Sequence, residues 1–324
     1  MCAKQIVIDG AYAPLFDGFV VYKRGLGYGY SGEVMFLIRQ FSRFLSGFPG
    51  CPEVLKKEML DAFCELREGE SAWTRKARVW ISRQFALYLK SQGFNCYVPP
   101  VRRERAPADF IPYIITENEM ARIIERADNQ PFLRQSPKTN PIYSMLIRML
   151  WCCGLRLSEA LSLKVGDVDL DNALITVKKA KYNQTRLVPM SDSLTAYARQ
   201  YWNGMGFMRE APTAYFYPNR QGGQYNRSPV GVHIKKLMLE ANVTRDGIKP
   251  PRVHDVRHSF ALEALKKMEA DGMDIYCSLP LLAVYLGHSD IKSTEYYLRL
   301  TGAGFDGISD AMAECYANVF PEVD

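Results

Sequence analysis

The stretch "CCGLRLSEALSLK", residues 152–164, decides how the rest of the chain reads. The segment ahead of it, "PIYSMLIRMLWCC" (141–153), is apolar on nearly every side, as a buried helix is. Gly154 supplies a stop, and "LRLSEALSLK" restarts a helix. Arg156 stands at the break and Glu159 follows three residues later. That spacing brings the two side chains together. They form either a plain surface ion pair or an arginine that Glu159 orients towards an anion, and the pair alone does not choose.

Downstream, "NALITVKKAKYNQTRLVPM" (172–190) alternates apolar and polar residues around a polar turn, which predicts a β-hairpin ending at Pro189. Lys178, Lys179 and Lys181 lie in or near that turn, where lysines are usually only solvated. Helices are expected at about 192–203, 228–241, 255–270, 279–286 and 290–300, with a tail helix at 305–318.

The four histidines are His233, His254, His258 and His288. "HDVRH" (254–258) sets His254 and Arg257 on one helical face. It reads as a capped helix start with solvated charges, or as a phosphate site in which Arg257 forks onto oxygens beside His254. A metal site needs more neutral or acidic ligands, and the arginine would repel the cation. Further on, "LGHSDIKSTEYYLRL" (286–300) places Tyr296 and Tyr297 side by side. Neighbours on a helix point about 100° apart, so one site takes only one of them.

Upstream, "ITENEMARIIERAD" (115–128) starts with a capping box, Thr116 and Glu119. Before it, "NCYVPPVRRERAPADFIPY" (95–113) is rich in proline and arginine and reads as a linker, whose Arg102, Arg103 and Arg105 either lie along a nucleic-acid backbone or are simply solvated. The first hundred residues predict four helices: "PLFDGFVVYKRGLG", "SGEVMFLIRQFSRFLSGFPG" capped by Ser31, "PEVLKKEMLDAFCELREGE", and "SAWTRKARVWISRQFALYLKSQGF" capped by Ser71 and stopped by Gly93. On the fourth, Arg75, Lys76, Arg78 and Arg83 face either phosphates or plain solvent. "GYGYSG" (27–32) matches G-x-G-x-x-G, but helices rather than a βαβ unit follow, so a turn between helices is the better reading.

The 324 residues, 48% hydrophobic and 23% charged, suit an ordinary two-domain globular protein. The net charge of +6 sits entirely before residue 106, where 16 basic face 10 acidic residues. That balance suits DNA modestly. No apolar run reaches the length of a membrane span, and the N-terminus lacks a signal-peptide pattern, so a cytoplasmic, nucleoid-associated protein is expected. Eight scattered cysteines without a CxxC suggest buried thiols.

Taken together, "GLRLSE", a hairpin lysine, "HDVRHSFA", "LGHS" and a tyrosine resemble the tyrosine recombinase, or phage-type integrase, family. The resemblance spans about 115–300 and extends loosely to the helical N-terminal part. It implies a mainly α fold with a small β-hairpin or sheet in the catalytic domain, arranged as a two-domain, C-shaped DNA clamp. The domains would be a core-binding domain at 1–100, a linker at 101–113 and a catalytic domain at 114–324. It assigns Arg156, His254, Arg257 and His288 to the catalytic set, with Glu159 in support. Aligning on "RLVP" gives Lys181, with Lys179 as fallback. The nucleophile lies nine residues after the histidine, at Tyr297.

The resemblance implies attack by Tyr297 on a phosphodiester of double-stranded DNA, giving a 3′-phosphotyrosyl link and a free 5′-hydroxyl. Arg156, Arg257 and His288 would hold the non-bridging oxygens. His254 would take the tyrosine proton and Lys181 would protonate the leaving oxygen. No metal or other cofactor is implied. A homotetramer on two DNA sites, linked by the C-terminal tail helix, would exchange strands through a Holliday junction during integration or excision of a mobile element, with accessory proteins left open. Two rivals remain: a relaxing topoisomerase of the same chemistry, and a DNA-binding regulator with vestigial residues. A nucleotide enzyme using "GYGYSG" is a third, more distant one.

Overall fold

The computed structural model describes residues 8–30, 32–48, 54–100, 112–131, 134, 136–178, 185–245 and 249–287. It divides into two compact units, Met1–Phe110 and Ile111–Asp324. Both are helical, and the second carries a small sheet. Among the described residues no helix is long and apolar enough to cross a membrane.

The first unit contains α1 (Ala13–Gly25), α2 (Gly32–Ser46), α3 (Lys57–Cys64) and α4 (Ala72–Ser91). Its core is aromatic. Phe16, Phe19, Phe41, Phe63 and Phe85 are fully buried. Phe16 stacks on Phe85 with centroids 3.8 Å apart, and Phe41 stacks on Phe63 at 4.3 Å. Ser71 caps α4 by accepting from the Thr74 N–H. The "FVVY" ahead of "GYGYSG" lies within α1, and α2 follows, so this glycine motif belongs to a turn between helices. Ser31 lies outside the described residues.

The expected third helix runs only from Lys57 to Cys64, and its C-terminal carbonyls explain much of α4. Arg75 Nε donates to the Cys64 carbonyl at 2.9 Å. Arg78 donates to the carbonyls of Phe63 and Glu65 and to the Glu70 carboxylate. These groups satisfy a helix end that would otherwise leave acceptors unpaired. Arg78 is therefore corrected as a candidate for phosphate contact: its side chain is 1% exposed and lies on the buried stripe with Ile81, Phe85 and Leu89. Arg83 donates to the Pro99 carbonyl. Lys76 stays exposed beside the Trp73 ring. Arg102, Arg103 and Arg105 lie outside the described residues.

The second unit is built on α6 (Thr139–Cys153), which is buried almost all round. It packs against α5 (Glu117–Asp128), α8 (Asp192–Met205) and α10 (Val253–Ala270). The short α7 (Leu157–Ser162) follows α6. Then β1 (Val168–Asp169), β2 (Leu174–Lys178) and β3 (Thr185–Pro189) form an antiparallel sheet in the order β1-β2-β3. Val177 faces Arg186, and Lys178 faces Thr185 across the ladder. Residues 179–184, where the hairpin turn with Lys179 and Lys181 is expected, lie outside the described residues. α9 (Arg227–Glu240) and α11 (Ile275–Leu286) are the other α-helices among the described residues of the unit. Tyr113, placed in the linker by sequence, is buried in this core. The long "KKMEADGMDIYCSLP" segment continues α10 to Ala270, turns, and starts α11.

Four starts in this unit repeat one device, an acidic side chain at the third position reaching back to the N–H ahead of the helix. Glu119 accepts from Thr116 at 2.8 Å, Glu159 from Arg156 at 3.0 Å, Asp167 from Lys164 at 2.9 Å and Asp255 from Arg252 at 2.7 Å. Two of these starts carry arginines of the candidate site.

Candidate active site

Gly154 ends α6 with φ +58, a left-handed conformation that suits glycine. A Cβ there would come within 2.3 Å of the Phe260 ring of α10. The close approach has a consequence: Arg257, on α10, donates to the Gly154 carbonyl at 2.8 Å. Its other terminal nitrogen donates to the Leu286 carbonyl at the end of α11 at 2.5 Å. Arg257 is 1% exposed. One buried guanidinium thus fixes the chain before Arg156 and the chain before His288.

Arg156 lies at the same junction. Its Nη1 donates to Glu159 Oε1 at 2.8 Å, and both terminal nitrogens approach the Gly287 carbonyl at 3.4 Å. Its side chain remains 34% exposed, so the fork is open on one side. Glu159 is nearly buried and serves two further arginines. Arg186 of β3 reaches both carboxylate oxygens, at 3.2 and 2.8 Å, and Arg257 Nη1 stands 3.7 Å from Oε2. Burial pushes the Glu159 carboxyl up, but the hydrogen bonds from Arg186 and the Arg156 backbone outweigh it and hold the group down at about 2. Three guanidiniums and one carboxylate leave this cluster with excess positive charge.

His254 opens the exposed edge of α10, one turn from Arg257. Desolvation, then the charges of Arg257, Arg252 and Arg156, push its pKa down to about 4, so the ring is neutral at pH 7. Its neighbour His258 packs edge-on against it at 4.8 Å and is likewise pushed down to about 4, by burial first and then by His254. The structure therefore brings together Arg156, Glu159, His254 and Arg257, which sequence singled out as separate motifs. His288, Tyr296, Tyr297 and Lys181 lie outside the described residues. Lys178 is engaged: its ammonium pairs with Asp167. Among the described residues no cluster of histidine, cysteine and acidic groups could hold a metal ion.

Sequence reasoning did not reach Arg186. Its signal was the strand period: Arg186 lies two residues before buried Val188, on the same inward face of β3, so a charged side chain there, only 12% exposed, needs a partner, and Glu159 provides it.

Residues 114–303 match the model of the phage integrase family. This chain belongs to that family. It is similar to "Putative integrase/recombinase y4rB" of Sinorhizobium fredii, 30% identical over 86% of this chain and 90% of that one. It is also similar to "Tyrosine recombinase XerC" of Xanthomonas axonopodis pv. citri, 30% identical over 73% of this chain and 70% of the relative. Among solved structures, the XerH site-specific recombinase bound to a palindromic difH substrate shares the fold. Its TM-score is 0.63 at 18% identity, over 86% of this chain and 77% of that one. The Tn1549 transposon integrase in complex with transposon right-end DNA does so at 0.60 and 16% identity, over 87% and 94%. The family is that of tyrosine recombinases, and this recombinase is an enzyme of site-specific DNA recombination.

Proposed function

We propose that the recombinase cuts and rejoins double-stranded DNA through a covalent link between Tyr297 and a 3′-phosphate. The observation that carries this reading is the open fork of Arg156 beside buried Arg257, in a cluster with more positive than negative charge. The open fork suits a phosphodiester, whose transition state gathers charge on its non-bridging oxygens, and buried Arg257, whose terminal nitrogens donate to the Gly154 and Leu286 carbonyls, adds positive charge behind it. The tyrosine oxygen forms the new bond to phosphorus, the bond to the 5′-oxygen breaks, and rejoining runs the same steps in reverse. The phosphotyrosyl link retains the free energy of the phosphodiester, so no nucleotide is consumed.

His254 is the group that takes the tyrosine proton. A base must be unprotonated at working pH, and desolvation, with the surrounding arginines second, keeps this ring so. Lys181 donates the proton to the leaving 5′-oxygen, and His288 adds a hydrogen bond to the phosphate. Four protomers act on two sites through a Holliday junction, linked by the tail segment, in integration or excision of a mobile element within the nucleoid. The exposed Lys76 and the arginines at 102, 103 and 105 contribute non-specific attraction to the DNA backbone.

The test is a duplex carrying a candidate recombination site, nicked next to the scissile phosphate so that cleavage traps the covalent complex. The expected result is a protein–DNA band lost in Tyr297→Phe and kept in Tyr296→Phe. The reverse pattern overturns the choice of nucleophile, and no band with a cognate site overturns the cleavage chemistry.

A further inference from the structure

The proposed cleavage chemistry asks Arg156 to hold a phosphate, yet its guanidinium already donates to Glu159 at 2.8 Å. A carboxylate beside an arginine competes with phosphate for the same fork and cancels its charge. What else holds Glu159 therefore decides how much of Arg156 is available. The Glu159 oxygens are both met by Arg186, through Nη1 to Oε1 at 3.2 Å and Nη2 to Oε2 at 2.8 Å. This is the two-bond fork geometry that carboxylates bind best. The other bond to Oε1 comes from Arg156 alone.

We propose that Arg186 is a positioning residue for strand cleavage: it takes the Glu159 carboxylate as its own counter-ion and so leaves the charge of Arg156 for the scissile phosphate. The inference rests on the cleavage chemistry above and adds a residue to it. Arg186 also stands on β3, opposite Val177 and one rung from the Lys178–Thr185 pair that ends the described ladder. The same two hydrogen bonds thus tie the β2–β3 pair to the arginine cluster.

Fold stability alone explains this arrangement poorly. Arg186 is 12% exposed, and its buried Nε has no hydrogen-bond partner among the described residues. A buried polar atom left unpaired is a cost that an apolar side chain at the same place would avoid. Glu159 reaches back to the Arg156 N–H without Arg186, so the α7 start does not require it.

The experiment measures single-turnover covalent-complex formation on the nicked duplex for the wild type, R186M, R186K, E159Q and R186M/E159Q, with duplex affinity measured in parallel. The expected loss in R186M is about 10–100-fold in rate, the range seen when outer-shell partners are removed, with affinity changed much less. R186K, which keeps the charge but not the fork, falls between R186M and the wild type. R186M/E159Q is faster than R186M, because a neutral glutamine no longer discharges Arg156. A role confined to packing predicts the opposite, since the double variant removes more bonds from one buried cluster. A double variant no faster than R186M, or R186M at the wild-type rate, overturns the inference while leaving the cleavage reading intact. A wild type that forms no complex with a cognate site overturns the cleavage reading and this inference with it. Should R186M fail to fold, R186Q and R186Q/E159Q give the same comparison.

Discussion

Among the described residues, each unit of the recombinase buries one arginine to the same depth, Arg78 in the first and Arg257 in the second, both 1% exposed. Each donates to two backbone carbonyls near helix ends, those of Phe63 and Glu65 for Arg78 and those of Gly154 and Leu286 for Arg257. Each stands near a carboxylate, Glu70 or Glu159. What differs is the company. Arg78 and Glu70 make a balanced pair, whereas Glu159 is shared with Arg156 and Arg186. Burial and hydrogen bonding mark an arginine as structural. Positive charge in excess of the local carboxylates, with one fork left open, marks a place for an anion.

The largest effect expected from breaking this comparison is on stability. Replacing Arg78 by methionine leaves Glu70 without this arginine and the Phe63 and Glu65 carbonyls without their donor. Removing one member of a buried pair costs about 3–5 kcal/mol, read as a lower denaturation midpoint. The fraction that remains folded should still form the covalent complex at the wild-type rate. A variant with wild-type stability and lost cleavage would mean that Arg78 acts on DNA after all.

Arg156 should show the converse. Arg156→Lys keeps a positive charge but loses the fork, so covalent-complex formation falls by about 10²–10³-fold. Its side chain is one-third exposed and α7 is capped through its backbone N–H, which the substitution keeps. The unfolding midpoint should therefore move little, within the roughly 0.5 kcal/mol typical of surface changes. Equal losses of stability and rate would erase the distinction between the two arginines.

How far sequence reached follows from the range of each interaction. The mainly helical fold and the hairpin were readable because caps, stops and alternation are local. The Thr116–Glu119 box, the Gly154 stop and the strand ending at Pro189 all stand in the structure where the residues predict them. Arg156 with Glu159, and His254 with Arg257, were legible as i, i+3 pairs. Their assembly into one cluster depends on Arg257 reaching the Gly154 carbonyl 103 residues away, which no local pattern encodes. Arg186 was missed for the same reason, lying 27 residues from Glu159. Arg78 is a different failure. It sits on the stripe of Ile81, Phe85 and Leu89, so its burial was written in the periodicity and was overridden by its charge.

Histidine placement sharpens the comparison once more, with the smallest effect. All four histidines lie between 233 and 288, so pH dependence of stability from histidine belongs to the second unit. His258 is half-buried against His254, Asp255, Arg252 and Arg257, and its pKa is pushed down to about 4. An unfolded histidine titrates near 6.5. Between those two values the unfolded chain binds more protons, so stability is complete above about 6.5 and is lost as pH falls towards about 4. Glu159, held at about 2, stays charged in the folded protein, and because an unfolded glutamate titrates near about 4.3 it adds to the same trend only in the lowest part of that window, with little effect between pH 7 and 5.5. His254 shares the direction, but its exposed ring adds less. Lowering pH from 7 to 5.5 should reduce the melting temperature by a few degrees, since about 1 kcal/mol moves a unit of this size by about 2–4 °C. In His258→Gln the slope between those two pH values should be shallower. In Arg78→Met the melting temperature should start lower but keep the wild-type slope, because the pair it breaks titrates with no histidine. An unchanged slope in His258→Gln would show that the ring is not the group that couples folding of the second unit to pH.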